Sequence, residues 1–185
     1  SPLFLAHRGY WYPHECENSI PAFEACISSS SHNLHGFECD LQEVGRNQWI
    51  VFHDRCLDRV TYQSGDITDL TFDQLCQIQL QSQTDTTIVS LDQLFECLSR
   101  VTEALWVNFE IKTASQEGLT HLIQQLDQFS NPHIKWIFSS FTPSILEKLH
   151  QINNSLRFGL LIRTLSDLNW NAVDPYDSVH MEYAQ

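Results

Sequence analysis

The chain has 185 residues, enough for one sizeable core and too few for two ordinary domains. Its 42% hydrophobic content excludes a disordered chain, and no apolar run reaches the ~18–20 residues of a membrane span. The formal net charge of −13 disfavours nucleic acid and anionic membrane surfaces, both of which are bound through Lys and Arg.

The first six residues, Ser1 to Ala6, carry no basic n-region, so no signal peptide is expected in the sequence as it stands. Leu3–Ala6 reads as a short buried strand that stops at His7-Arg8-Gly9. Asn18 to about Ser30 has Ile20, Phe23, Cys26 and Ile27 at helical spacing. Gly36–Leu41 alternates apolar and acidic residues, a strand pattern, and Trp49–Phe52 is a compact apolar strand that stops at His53-Asp54. Only about seven residues separate these two strands, too few for a crossover helix, so a simple turn must join them. Thr71 with Gln74, and Ser90 with Gln93, match the capping box that opens a helix. Leu105–Ile111 is a further strand, followed by a helix over Gln116–Gln128 and a strand over Ile134–Phe138. Thr142-Pro143 supplies a cap and an N1 proline for a helix to about Ile152, and Arg157–Ile162 and Val179–Tyr183 read as two last strands. Alternating strands and helices predict an α/β fold on a largely parallel sheet. The six cysteines are scattered with no Cys-x-x-Cys pair, which argues against a zinc site. They fit reduced structural thiols of a cytoplasmic protein, with a periplasmic or secreted form left open.

Catalytic residue types recur at the ends of the predicted strands: His7 and Arg8, then Glu38 and Asp40, then His53 and Asp54, then Glu110 and Lys112. In a β/α barrel such ends converge on one mouth. Residues i and i+2 of a strand share a face, so Glu38 projects with Asp40, and Glu110 with Lys112. Crowded carboxylates repel unless a cation neutralises them. Glu38, Asp40 and Glu110 are therefore the candidate ligands of one hard divalent cation, Mg²⁺ or Ca²⁺, with Mn²⁺ also compatible. A lone Glu-x-Asp pair is usually a solvated strand face, and a lone histidine usually a satisfied core residue. The coincidence of four strand ends carries the functional reading.

The ordered set His7-Arg8-Gly9, Glu17-Asn18-Ser19, Glu38-Cys39-Asp40, His53-Asp54 with Leu57-Asp58-Arg59, and Phe109-Glu110-Ile111-Lys112 resembles the glycerophosphodiester phosphodiesterases. The likeness continues through Ser139-Ser140-Phe141 and Gly159-Leu160-Leu161. The resemblance implies a TIM-type (β/α) barrel that hydrolyses glycerophosphodiesters, small-molecule substrates of lipid metabolism, to glycerol 3-phosphate and an alcohol. It makes Glu38, Asp40 and Glu110 the metal ligands and His7 and His53 the acid–base pair, with His7 preferred as base and His53 as acid. Arg8 and Lys112 would hold the phosphate, and Glu17 and Asn18 would complete the substrate site, although Glu15 competes with Glu17 for the glutamate role. Residues 1–185 are expected to form a single barrel domain, short at its C-terminus by the last one or two strands. Two alternatives accompany this reading: a related phosphodiesterase of the phospholipase C or D type, and a non-catalytic protein that binds a phosphate ligand. Oligomeric state is not legible in the sequence.

Overall fold

The computed structural model describes residues 3–13, 15–28, 34–163 and 177–181. Its wall is built from β1 (Leu5–Ala6), β2 (Gly36–Glu43), β5 (Leu105–Thr113), β6 (Ile134–Ser140), β7 (Arg157–Ile162) and β8 (Ser178–Met181). These six strands run parallel in the order β1-β2-β5-β6-β7-β8. Helices α1 (Ile20–Ser28), α4 (Gln116–Gln128) and α5 (Pro143–Ile152) fill three of the crossovers. This is the arrangement of successive strands in a (β/α) barrel, whose complete wall has about eight. The expected strand Val179–Tyr183 overlaps β8; Tyr183 lies outside the described residues, as do Ser29 and Ser30 at the end of the first expected helix. No helix among the described residues is long and apolar enough to cross a membrane.

Strand periodicity sorts the side chains. The odd residues of β5 (Leu105, Val107, Phe109 and Ile111) join Phe37, Cys39 and Leu41 of β2 in the main core. Against this layer pack Phe23 and Cys26 of α1, Leu119, Leu122, Ile123 and Leu126 of α4, and Ile145, Leu146 and Leu149 of α5. Phe23 stacks on Phe37 with centroids 4.4 Å apart, which seats α1 on β2. Towards the C-terminal ends of the strands the alternate residues face the other way and are polar: Glu38, Asp40 and Gln42 on β2, Asn108, Glu110 and Lys112 on β5, Ser139 on β6. A wall apolar towards its helices and polar at the C-terminal end of its interior assembles a site across neighbouring strands.

Between β2 and β5 the chain makes an excursion. Strands β3 (Trp49–Val51) and β4 (Val89–Ser90) pair antiparallel on the far half of β2. The turn expected between β2 and β3 is thus a hairpin. The segment between β3 and β4 buries its own small core, with Leu57, Ile67, Leu75, Leu80 and Ile88 packed on Cys16, Val44, Ile50 and Phe52. Both expected capping boxes form, at the one-turn helix α2 (Phe72–Leu75) and at α3 (Leu91–Ser99). One expected cap does not. Pro143 occupies the first turn of α5, but Thr142 makes no side-chain cap. Its backbone N–H instead donates to Ser140 Oγ at 3.1 Å, and proline has already removed one donor that a cap would satisfy.

Candidate active site

Register brings the acidic residues together. Asp40 lies opposite Glu110 in the β2–β5 ladder, and Glu38 is two residues back on the same face of β2. One carboxylate oxygen from each of Glu38, Asp40 and Glu110 lies within 4.8 Å of the others. All three side chains are buried, and Glu38 Oε1 has no hydrogen-bond partner among the described residues. A buried carboxylate oxygen without a donor is costly. An all-oxygen cluster with such an orphan fits a hard divalent cation.

The first turn after β1 closes the cluster from one side. Arg8 adopts a left-handed backbone (φ 58°), and its N–H donates to Glu38 Oε2 at 3.0 Å. A Cβ on the next residue, Gly9 (φ 84°), would sit 2.9 Å from the Ala22 Cβ, so the turn needs glycine for both conformation and space. The Arg8 side chain donates through Nη1 to Glu17 Oε1 at 2.8 Å and brings Nε to 3.1 Å from Asp40 Oδ2. On the other side, Lys112 Nζ pairs with Glu110 and lies 3.1 Å from Asp40 Oδ1. With all groups ionised, three carboxylates face two cations and leave one excess negative charge. A bound dication would turn this to one positive charge, suited to an anionic diester.

Asn18 grips Asp40 at both ends: its Nδ2 donates to Asp40 Oδ2 at 2.8 Å, and its Oδ1 accepts from the Asp40 backbone N–H at 3.2 Å. Glu17 is buried between two arginines, Arg8 and Arg59. Burial raises its pKa, but hydrogen bonds and charge from Arg59 and Arg8 outweigh that and hold it below the ordinary glutamate value. Glu15 turns away to accept hydrogen bonds from Ser82 and Thr84. Of the two glutamates, Glu17 is the one that contacts Arg8 and Arg59. Glu17 and Asn18, expected at the substrate, contact Arg8, Arg59 and Asp40.

The two histidines flank the cluster. His7 is 67% exposed, with Nε2 3.8 Å from Glu38 Oε2. Desolvation, then the Arg8 charge, lower its pKa below the ordinary imidazole value. His53 reaches the same mouth on the return strand of the hairpin. β3 runs against the wall, so its C-terminal end would point away from the mouth if it began level with the parallel strands. The hairpin extends beyond the mouth, so the returning strand delivers His53 back to it, with the Phe52 N–H donating to the Asp40 carbonyl at 3.0 Å. Gln42 fastens the return: its buried Nε2 lies 2.7, 3.2 and 3.0 Å from the carbonyl oxygens of Phe52, His53 and Asp54. His53 Nδ1 lies 2.5 Å from Asp54 Oδ1. Burial works against ionisation of Asp54, but hydrogen bonds from Arg59 and His53 prevail and keep its pKa low. An ionised carboxylate only accepts, so Nδ1 carries the proton and Nε2 remains for chemistry.

Gln42 and Arg59 were not singled out as site residues in the sequence. Gln42 was within reach, since it continues the i, i+2 row of Glu38 and Asp40. Arg59 stood in the Leu57-Asp58-Arg59 stretch that carries the resemblance, but no role was attached to it.

The acidic cluster makes a thermal test. Burial, then the charges of Asp40 and Glu110, push the Glu38 pKa well above the glutamate range. Burial also raises that of Glu110, with Lys112 opposing and Asp40 adding. A carboxylate raised on folding binds more protons folded than unfolded. Its contribution is therefore present at low pH and is lost as pH rises from the unfolded value through the raised one. A divalent cation binds only the deprotonated cluster and reverses the trend. At about a hundredfold excess over Kd it adds about 2.7 kcal/mol, or roughly 5–10 °C in Tm for a domain of this size. The gain should be small near pH 5 and grow towards pH 8. Scanning calorimetry with and without Mg²⁺ checks this, and a gain that shrinks as pH rises would contradict it.

A model of the glycerophosphoryl diester phosphodiesterase family matches residues 7–182. Among curated proteins, a glycerophosphodiester phosphodiesterase of Bacillus altitudinis is 26% identical over 165 residues, covering 85% of this chain and 65% of the relative. The human glycerophosphodiester phosphodiesterase 1 is 24% identical over 171 residues, covering 88% of this chain and 49% of the relative. This chain thus spans from about half to about two thirds of the length of these relatives. Among solved structures, an Oleispira antarctica phosphodiesterase in complex with the product sn-glycerol-3-phosphate superposes with a TM-score of 0.82 at 21% identity, covering 97% of this chain and 74% of that one. A glycerophosphodiester phosphodiesterase from Parabacteroides distasonis gives 0.78 at 19% identity, covering 97% and 72%. At these identities the superpositions establish the fold, a TIM-type barrel of which this chain carries six wall strands among its described residues.

Proposed function

This chain belongs to the glycerophosphoryl diester phosphodiesterase family, and from that premise we propose that it hydrolyses glycerophosphodiesters to glycerol 3-phosphate and an alcohol. One observation carries the reading: a three-carboxylate cluster, two cationic side chains and two histidines meet at a single barrel mouth. Glu38, Asp40 and Glu110 would hold one divalent cation, Mg²⁺ or Ca²⁺, which supplies Lewis-acid polarisation and charge neutralisation when bound. Arg8 and Lys112 face the non-bridging phosphate oxygens and stabilise the negative charge that gathers there in the transition state. Glu17 holds Arg8 in that pose, and Asn18 holds Asp40. His7, with its lowered pKa, is neutral near pH 7 and takes the proton of the attacking oxygen, either water or the neighbouring glycerol hydroxyl, in which case water then opens the cyclic phosphodiester to glycerol 3-phosphate. His53, oriented through Nδ1, presents Nε2 to the leaving alcohol and protonates it. All six cysteines are free thiols, four of them buried, which supports a reducing compartment.

A product assay on glycerophosphocholine with Mg²⁺, Mn²⁺ or Ca²⁺ tests the reading. Glycerol 3-phosphate with choline is the expected pair. Phosphocholine with glycerol would assign cleavage on the other side of the phosphorus. Retention of glycerophosphocholine without any product would identify a binding protein.

A further inference from the structure

Arg59 lies outside the mechanism derived so far, yet its guanidinium is the most heavily engaged cation near the site. Nε donates to Asp54 Oδ2 at 2.6 Å and Nη2 to Asp54 Oδ1 at 3.2 Å. Nη1 donates to Glu17 Oε2 at 3.0 Å and Nη2 to Glu17 Oε1 at 2.6 Å. Glu17 accepts in turn from Arg8. An unbroken file of charged hydrogen bonds therefore runs from His53 through Asp54, Arg59 and Glu17 to Arg8.

A stabilising role alone explains little of this. The Arg59 side chain is 47% exposed, so solvent screens part of its pairing with Glu17, itself 8% exposed. The segment that bears it is already anchored by Leu57, Ile67, Leu75 and Ile88. A planar guanidinium that grips two carboxylates does fix geometry. Asp54 has one oxygen on the imidazole and both under Arg59, so its rotation, and with it the His53 ring, is set by Arg59.

We propose that Arg59 is a positioning residue for hydrolysis: it clamps Asp54 so that His53 keeps its proton on Nδ1 and its Nε2 on the substrate. The inference rests on the hydrolytic reading above. Arg59→Ala should lower kcat about 10–100-fold, as misplaced catalytic groups do, with KM changed less than about threefold. In a His53→Ala background the same substitution should cost less than about threefold more, because its effect passes through His53. Equal losses in both backgrounds, or a wild-type kcat, would overturn the proposal. If the alanine variant does not fold by circular dichroism, Arg59→Lys keeps the charge, loses the fork, and should show the same dependence on His53. Nitrogen-15 shifts of the His53 ring give an answer that needs no turnover. The wild-type protein should read as Nδ1-protonated and Arg59→Ala as mixed tautomers, whereas an unchanged tautomer sinks the clamp. Wild-type turnover of glycerophosphocholine reports on the hydrolytic reading separately.

Discussion

Replacing either His7 or His53 with Ala lowers kcat on glycerophosphocholine by ~10²–10⁴-fold, the usual contribution of a general acid or base. The two must begin in opposite protonation states, so kcat/KM of the unsubstituted enzyme follows a bell-shaped pH profile. The lowered pKa of His7 suits it to start neutral. A nitrophenyl ester needs little help to leave, so it separates the roles. It should restore much of the rate of His53→Ala and none of His7→Ala. The reverse pattern would exchange the assignments. Near-normal rates for both variants on glycerophosphocholine would remove acid–base catalysis from the account and favour phosphate binding.

Chelation abolishes turnover, and added Mg²⁺ or Ca²⁺ restores it, if Glu38, Asp40 and Glu110 act as ligands. Glu38→Gln sharpens the test because activity and stability should move in opposite directions. Loss of a ligand oxygen should weaken metal affinity by more than the ~10–100-fold typical of losing a supporting contact. The metal-free fold should meanwhile gain stability at pH 8, because the substitution removes a buried charge that Asp40 and Glu110 repel. The amide carbonyl can still accept from the Arg8 N–H, which keeps the turn after β1 closed. Full activity in excess EDTA, or a metal-free Glu38→Gln protein less stable than the wild type at pH 8, would count against the cluster as a metal site.

Much of this was legible in the sequence, for a local reason. Strand periodicity places Glu38 with Asp40, and Glu110 with Lys112, without knowledge of any neighbour. The capping boxes at Thr71 and Ser90 are contacts over three residues, and both form. The seven-residue spacing between the second and third strands already required a hairpin. The metal triad needed one further step, the parallel pairing of β2 with β5, which α/β alternation implies and the Asp40–Glu110 register provides.

Tertiary structure decided the rest. Glu15 and Glu17 are two residues apart and chemically alike; only the packing of their segment against Ser82 on one side and Arg8 and Arg59 on the other separates them. Asn18 as the grip on Asp40 depends on a contact across 22 residues. His53 was expected at the mouth as the end of a barrel strand; it arrives on an antiparallel return, pinned by Gln42. Arg59 meets Glu17 across 42 residues, joined through the excursion that the small second core folds back onto the barrel. Sequence patterns report which face of an element a side chain takes, because backbone geometry repeats every two or 3.6 residues. Which distant side chains share a site is set by strand register and by where long connections land, and no local repeat encodes either.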